Sequence, residues 1–299
     1  MSMTSVILED TRTVAPARVA DYIELTKPRI AALVLVTVTV AMVIAAWGAP
    51  NAMLLFNTLI GTAFVAASAS ALNQWLEQET DGRMDRTADR PLPTGRLTSA
   101  QVMTFAIVTI VAGVLQLAVT VNWLTAALGF LTWFLYVWVY TPLKSRTSAN
   151  TAVGAVAGAL PVLMGWSAVA PLDMKAFALF LIVFLWQFPH FMAIAWIYRQ
   201  QYAAAGLKML PVVDPSGHRA GAQAVIAALL LVPVSLVPAV QSLAGPIFAG
   251  GMISLSMAQL VCAIWFCAKM DDVSARRLLR ASLVYLPLAM ILLMLGPLV

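Results

Sequence analysis

Asn73, Glu77 and Asp81 stand four residues apart in NQWLEQETDGRMDRTADRPLPTGR, residues 73–96. On a helix that runs on through Asp81 they occupy positions i, i+4 and i+8. At about 100° per residue each step drifts by only about 40°, so the three share one face. Two carboxylates and an amide oxygen are hard donors. They suit Mg²⁺, which takes one or two carboxylates and shares the rest of its shell with water and substrate phosphate. Arg83, Arg86 and Arg90 follow at once, and the guanidinium group is well matched to phosphate oxygens. Acids to hold a metal and arginines to hold an anion are what a diphosphate site needs. The competing reading is a solvated loop of surface ion pairs. The helical register and the position at a helix end favour the site. Glu79 falls on another face and Asp85 about 120° round from Asn73, so both read as structural.

This stretch carries nine of the chain's 31 Lys, Arg, Asp and Glu residues. The 299-residue chain is 62% hydrophobic and only 10% charged, whereas a soluble chain is nearer about 25% charged. Its mean hydropathy of +0.89 belongs to a polytopic membrane protein. Nine segments are long and apolar enough to cross a bilayer, which takes about 20 residues as a helix. They are roughly 30–47, 52–72, 102–121, 123–140, 152–170, 176–196, 224–240, 247–268 and 281–299. With nine spans, every Lys and Arg except Lys175 falls on one side. The positive-inside rule makes that side cytoplasmic, with the N-terminus inside and the C-terminus outside. The pI of about 9.5 then reflects topology, and no nucleic-acid partner is expected. All acids but Asp173 lie on the same side. Topology does not require this, so the cytoplasmic loops hold acids for another reason.

Residues 1–25 form a polar segment of mixed charge, without the basic start and apolar core of a secretory signal. Residues 26–299 read as one membrane domain. Cys262 and Cys267 lie five apart in one apolar span and read as packing residues, not a disulfide or zinc site. Small residues before Asn73 allow close helix packing, as do Gly154, Gly158 and Gly165, the first two forming a GxxxG pair. Thr98 and Gln101 form a capping box that starts the third span. Asn122 and the Gly48-Ala49-Pro50-Asn51 stretch mark tight hairpins.

The acidic stretch resembles the Asn-xxx-Asp/Glu-xxx-Asp motif of the UbiA superfamily of intramembrane prenyltransferases. Three further segments are similar to its haem-farnesylating branch: Glu24-Leu-Thr-Lys-Pro-Arg-Ile30, Tyr140 to Trp166 beginning YTPLKSRTSAN, and Trp186 to Val213 beginning WQFPHF. The resemblance implies an all-α integral membrane protein with nine transmembrane helices in a UbiA-like bundle. Spans 1–4 and 5–8 would form two parallel halves, with a ninth helix added. It implies Mg²⁺ as cofactor, farnesyl diphosphate as donor and protohaem IX as acceptor. A bacterial inner membrane is the expected location. Haem A synthase or oxidase assembly proteins are the expected protein contacts. The family usually carries an Asp where this chain has Gln201, a poorer Mg²⁺ ligand. Either the metal then sits mainly on the first motif or Asp214 substitutes.

Residue by residue, Asn73, Glu77 and Asp81 are assigned to the metal and to catalysis, and Arg83, Arg86, Arg90, Lys144 and Arg146 to the diphosphate. Gln187, His190, Tyr198 and Tyr202 are assigned to the haem pocket. His190 lies inside span 6, and an ionisable residue at membrane depth is a functional candidate by default. Its expected contact is the haem iron or a propionate. Trp133, Phe134, Tyr136, Trp138, Tyr140, Phe184, Trp186, Phe188 and Phe191 are candidates for a prenyl tunnel. Other classes predict different patterns. A prenyltransferase acting on a quinone precursor or chlorophyllide would share the acidic motif. A secondary transporter would place ionisable groups at mid-membrane, whereas these acids sit at the cytoplasmic ends. A di-haem cytochrome needs paired intramembrane histidines, and His190 has no partner of its kind in a span.

Overall fold

Asn51 and Asn122 start two of the long helices by accepting hydrogen bonds from the backbone three residues on, and Thr98 starts a third through the expected capping box. The computed structural model describes residues 18–242 and 245–295. Most of the polar N-terminal segment, with Arg12, and positions 296–299 of the last span therefore lie outside the described residues. The chain runs through α1 (Val19–Leu25), α2 (Pro28–Ala45), α3 (Ala52–Leu76), the single turn α4 (Gln78–Asp81) and α5 (Ser99–Thr120). Next comes α6 (Trp123–Phe134), which passes through a π-helical stretch, Leu135–Tyr140, into α7 (Thr141–Leu143). Then follow α8 (Asn150–Val169), α9 (Met174–Ile197), the short α10 (Arg199–Ala204) and α11 (Leu210–Val213), α12 (His218–Ser242), α13 (Pro246–Lys269) and α14 (Asp272–Leu295).

Among the described residues nine helical spans are long and apolar enough to cross a membrane, in the order expected. Two boundaries differ from the hydropathy reading. The seventh span starts at His218 and the ninth at Asp272, not near 224 and 281. The added turns are polar. Arg277 lies 4.4 Å over the Trp265 ring of α13, so these turns are held by packing at the helix end.

α8 and α9 form the centre of the bundle. Of their membrane windows 67% and 61% are buried, against 28–39% for the other seven. The outer helices expose large apolar side chains such as Phe56, Val119, Ile226 and Ile291, as a lipid-facing surface requires. α3 and α5 approach closely through their small residues. A Cβ on Gly113 would stand 2.9 Å from the Gly61 oxygen and the Val65 nitrogen. Ser68 donates to the Ala106 oxygen at 2.8 Å. Gly165 makes a similar approach to the backbone of α2 at Val38. Gly154 and Gly158 serve another purpose. A Cβ there would collide with the Tyr140 ring and the Gln187 amide respectively, so this pair makes room for side chains of the site.

The loops after α4 and α9 meet at one end of the bundle. Met84 from the first packs with Ala195 at the end of α9 and with Tyr202, Leu207 and Met209 of the second. The Lys208 amide donates to the Lys144 carbonyl at 2.6 Å. This end therefore gathers the three segments that carry the candidate chemistry.

Candidate active site

Helix α3 ends at Leu76, and Glu77 takes φ −97° and ψ 8° before α4 begins. The break is smaller than it sounds. The Glu77 amide still donates to Asn73, and the Asp81 amide to Glu77. The four-residue register survives, and all three side chains line one cavity of about 460 Å³. Its walls come from α2, α3, α6 with its π-helical continuation, α8, α9, Leu286 of α14 and the two loops. Its size is that of a ligand site.

One end of the cavity is a network of paired charges. Lys27 donates to Asn73 Oδ1 at 2.5 Å, and Asn73 Nδ2 donates to Thr141 at 3.0 Å. Lys144 Nζ lies 2.7 Å from Glu77 Oε1, and Arg90 bonds Asp81 Oδ2 at 2.5 Å. Arg86 also lines the wall. Lys27, Arg86, Arg90 and Lys144 thus face two carboxylates, and the surplus of positive charge attracts an anion. Burial pushes the Glu77 carboxyl up, but Lys144, Lys27 and Arg90 outweigh it and hold it below the ordinary carboxylate range. Burial prevails at Asp81, whose carboxyl is raised despite Arg90. Burial and the charge of Arg90 draw the Lys27 ammonium down to about 7. At Lys144 burial acts downward, and Glu77 with Tyr140 and Tyr136 overcomes it, so the ammonium is held above its usual range.

The π-helical stretch shapes the neighbouring wall. The Thr141 amide reaches back five residues to the Tyr136 carbonyl, and Thr141 Oγ1 donates to the same oxygen at 2.8 Å. Tyr136 and Tyr140 both face the cavity, with ring centroids 5.4 Å apart. Lys144 Nζ sits 4.6 Å from the Tyr140 ring centroid. Such single-turn insertions are common at functional sites. Farther in, the walls become apolar: Val34, Val65, Ala66, Trp133, Pro161, Met164 and Leu286. Gln187 and His190 of α9 line this region. Gln187 Nε2 donates to the Ala155 and Val183 carbonyls at 2.9 and 3.2 Å. His190 stacks on Trp186 with centroids 5.0 Å apart.

Of the residues singled out by sequence, the structure brings Asn73, Glu77, Asp81, Arg86, Arg90, Lys144, Gln187, His190 and Tyr202 to this one cavity. Arg83 and Arg146 are exposed and do not line it. Tyr198 stands behind the wall, its ring 5.5 Å beneath the Arg86 guanidinium. Among the aromatics, Trp133, Tyr136, Tyr140, Trp186 and Phe191 line the cavity. Phe134 and Trp138 are instead exposed on the outer surface, and Phe184 and Phe188 meet edge to face off the cavity. Gln201 lies off the wall with its amide oxygen buried and without a hydrogen-bond partner among the described residues. Asp214 does not line the cavity either; its carboxylate accepts from Ser216 and from the Arg219 amide at the start of α12. Those bonds, Ser216's first, hold it below the usual carboxylate range.

Lys27 is the site residue that the sequence reading counted only toward topology. Its backbone is left-handed, φ 51° and ψ 64°, a conformation that costs a non-glycine residue about 1–2 kcal/mol. The strained residue sits where its side chain reaches Asn73, and strain of this kind clusters at functional sites. The signal was present in the Lys27-Pro28-Arg29 run that precedes the first span.

The donor set suits an Mg²⁺ ion that is completed by water and substrate. Among the described residues no group of three or more His, Cys, Asp or Glu side chains forms a metal cage. Two carboxylates and an amide beside free cavity volume fit an ion whose remaining ligands are water and substrate phosphate.

The UbiA prenyltransferase family model matches residues 34–293. The protoheme IX farnesyltransferase of Solibacter usitatus is 42% identical over 281 residues, covering 90% of this chain and 95% of that protein. That of Myxococcus xanthus is 42% identical over 276 residues, covering 91% and 92%. Among solved structures, one of digeranylgeranylglyceryl phosphate synthase aligns with a TM-score of 0.81 at 14% identity, covering 93% of this chain and 98% of that one. A UbiA homolog from Archaeoglobus fulgidus, bound to GPP and Mg²⁺, aligns with a TM-score of 0.67 at 17% identity, covering 91% and 99%. With its nine apolar helices and its cavity of acids and bases at one end, the chain belongs to the UbiA prenyltransferase family as a multi-pass membrane enzyme.

Proposed function

We propose that the chain transfers a farnesyl group from farnesyl diphosphate to a vinyl group of protohaem IX, giving haem O and diphosphate. The observation that carries this reading is the division of one cavity into a cationic end and an apolar depth that contains His190. The naming of relatives about 40% identical over most of their length supports the choice of donor and acceptor.

Arg86, Arg90, Lys27 and Lys144 hold the diphosphate and stabilise the charge that grows on it as the allylic C1–O bond breaks. Bound Mg²⁺, held by Glu77, Asp81 and Asn73, would supply Lewis-acid stabilisation of the same leaving group. Tyr136, Tyr140 and Trp133 present aromatic faces to the allylic cation. The apolar walls keep water from that cation until the haem vinyl carbon bonds to C1. The cation this leaves on the vinyl substituent takes up water and loses a proton. No protein nucleophile enters the sequence of bonds.

The same reading makes residues 26–299 one prenyltransferase domain behind a polar segment. It sets the N-terminus and the charged loops on the cytoplasmic side of a bacterial inner membrane, with the C-terminus outside. Haem A synthase or an oxidase assembly protein would receive the product. An acceptor competition separates this function from its nearest alternative. Purified protein offered farnesyl diphosphate with equal protohaem and aromatic quinone precursor is expected to prenylate the haem. Prenylation of the aromatic acid alone would replace haem with a quinone precursor as the acceptor.

A further inference from the structure

His190 is tied to α14 through one ring nitrogen, and the way it is tied fixes which nitrogen carries the proton. Its Nδ1 lies 2.9 Å from Ser282 Oγ. Ser282 Oγ also donates to the Leu279 carbonyl at 2.7 Å. A hydroxyl has one hydrogen, and a carbonyl can only accept. With that hydrogen committed to Leu279, the bond to His190 is made only if Nδ1–H donates to Ser282. The Ser282 carbonyl in turn accepts from Trp186 Nε1 at 2.7 Å, and Trp186 stacks on the imidazole. One residue of α14 therefore sets both the tautomer and the ring plane of His190. The other nitrogen, Nε2, carries the lone pair and has no hydrogen-bond partner among the described residues. His190 lines the cavity, while Ser282 stands behind it.

We propose that Ser282 is a positioning residue that holds His190 as the Nδ1–H tautomer, so that His190 meets the haem substrate through Nε2 at the iron and not through a propionate. A propionate accepts hydrogen bonds and needs a donor, which a neutral Nε2 is not. Iron needs a lone pair, which it is. The arrangement is the one that metal-binding histidines show, in which the distal N–H is held by a neighbour that orients the ring. The iron contact rests on the haem reading above; the tautomer does not.

The chain contains two histidines, His190 and His218, so labelling histidine alone with ¹⁵N gives a spectrum of two rings. His218→Gln assigns them. At neutral pH, without haem, the His190 ring is expected to show a protonated Nδ1 and an unprotonated Nε2. Ser282→Ala is expected to release that preference, and Ser282→Thr to retain it. Ferric protohaem is then added without prenyl donor. Electron paramagnetic resonance is expected to show nitrogen ligation that is lost in His190→Ala. Ser282→Ala should weaken haem binding by about 10–100-fold, the usual cost of removing a partner of a ligating histidine. Ser282→Thr should restore it. A wild-type His190 protonated on Nε2, or a tautomer unchanged in Ser282→Ala, overturns the positioning role. Haem bound with the same spectrum in His190→Ala overturns the iron contact. Binding of no haem by any variant refutes the acceptor assignment and the iron contact together, while the tautomer measured without haem stands.

Discussion

Glu77→Gln and Asp81→Asn each lower turnover by about 10²-fold or more while the protein inserts, purifies and melts as a folded membrane protein. Both substitutions keep side-chain volume and remove one charge. The carboxylates act through the Mg²⁺ they would hold, and losing one electrophilic contact to a developing anion costs about 3 kcal/mol, which corresponds to about 10² in rate. The carboxylates are also partners of Lys144 and Arg90, so a purely structural role is the rival explanation. The two separate on the metal dependence. A ligand role predicts that the residual activity needs far more Mg²⁺ than wild type, and that a chelator reduces wild type to the mutant level. Lower melting temperatures with unchanged turnover and an unchanged Mg²⁺ requirement would assign both residues to structure alone.

Lys144→Ala is the second large effect, and it acts on stability as well as on rate. The Lys144–Glu77 pair is largely buried, with side chains 16% and 12% exposed. Removing one partner of such a pair costs about 3–5 kcal/mol, because it strands the other charge. The expected outcome is a protein that melts well below wild type and has lost activity by at least the margin seen for Glu77→Gln. A Lys144→Ala/Glu77→Ala double variant should recover much of the stability, since neither charge is then stranded, and none of the activity. Thermal melting in detergent and turnover, read together as a double-mutant cycle, check this. Additive losses of stability would mean that the two groups do not act as a pair.

Hydropathy made the nine spans legible because crossing a bilayer imposes length and composition on each. It misplaced the starts of α12 and α14 because charged turns such as Asp272–Arg280 remain helical beyond the apolar zone. The π-helical stretch Leu135–Tyr140 carries no sequence signature of its own. Yet it decides that Tyr136 and Tyr140 share a wall with Asn73. The acidic face was readable from its four-residue spacing, and the register survived the break at Glu77 through continued backbone bonds. The arginines were readable as a group but not one by one. Arg86 and Arg90 face the cavity and Arg83 does not, because the loop past Asp81 is not a continuous helix and no period describes it. Lys27 was hidden for a different reason. A lysine before a first span is what topology alone would place there, and its role depends on Asn73, 46 residues away. The Ser282 bond to His190 spans 92 residues, which no local pattern encodes.

Product mass tests the assigned reaction most directly. Purified protein is incubated with protohaem IX, farnesyl diphosphate and Mg²⁺, and the extracted haem is analysed by mass. The expected product is haem that has gained one farnesyl group and one hydroxyl, with diphosphate released in equal amount, and with Glu77→Gln both form more slowly by about 10²-fold or more. Haem of unchanged mass, recovered from folded protein that binds both substrates, would contradict haem farnesylation as the function of this cavity.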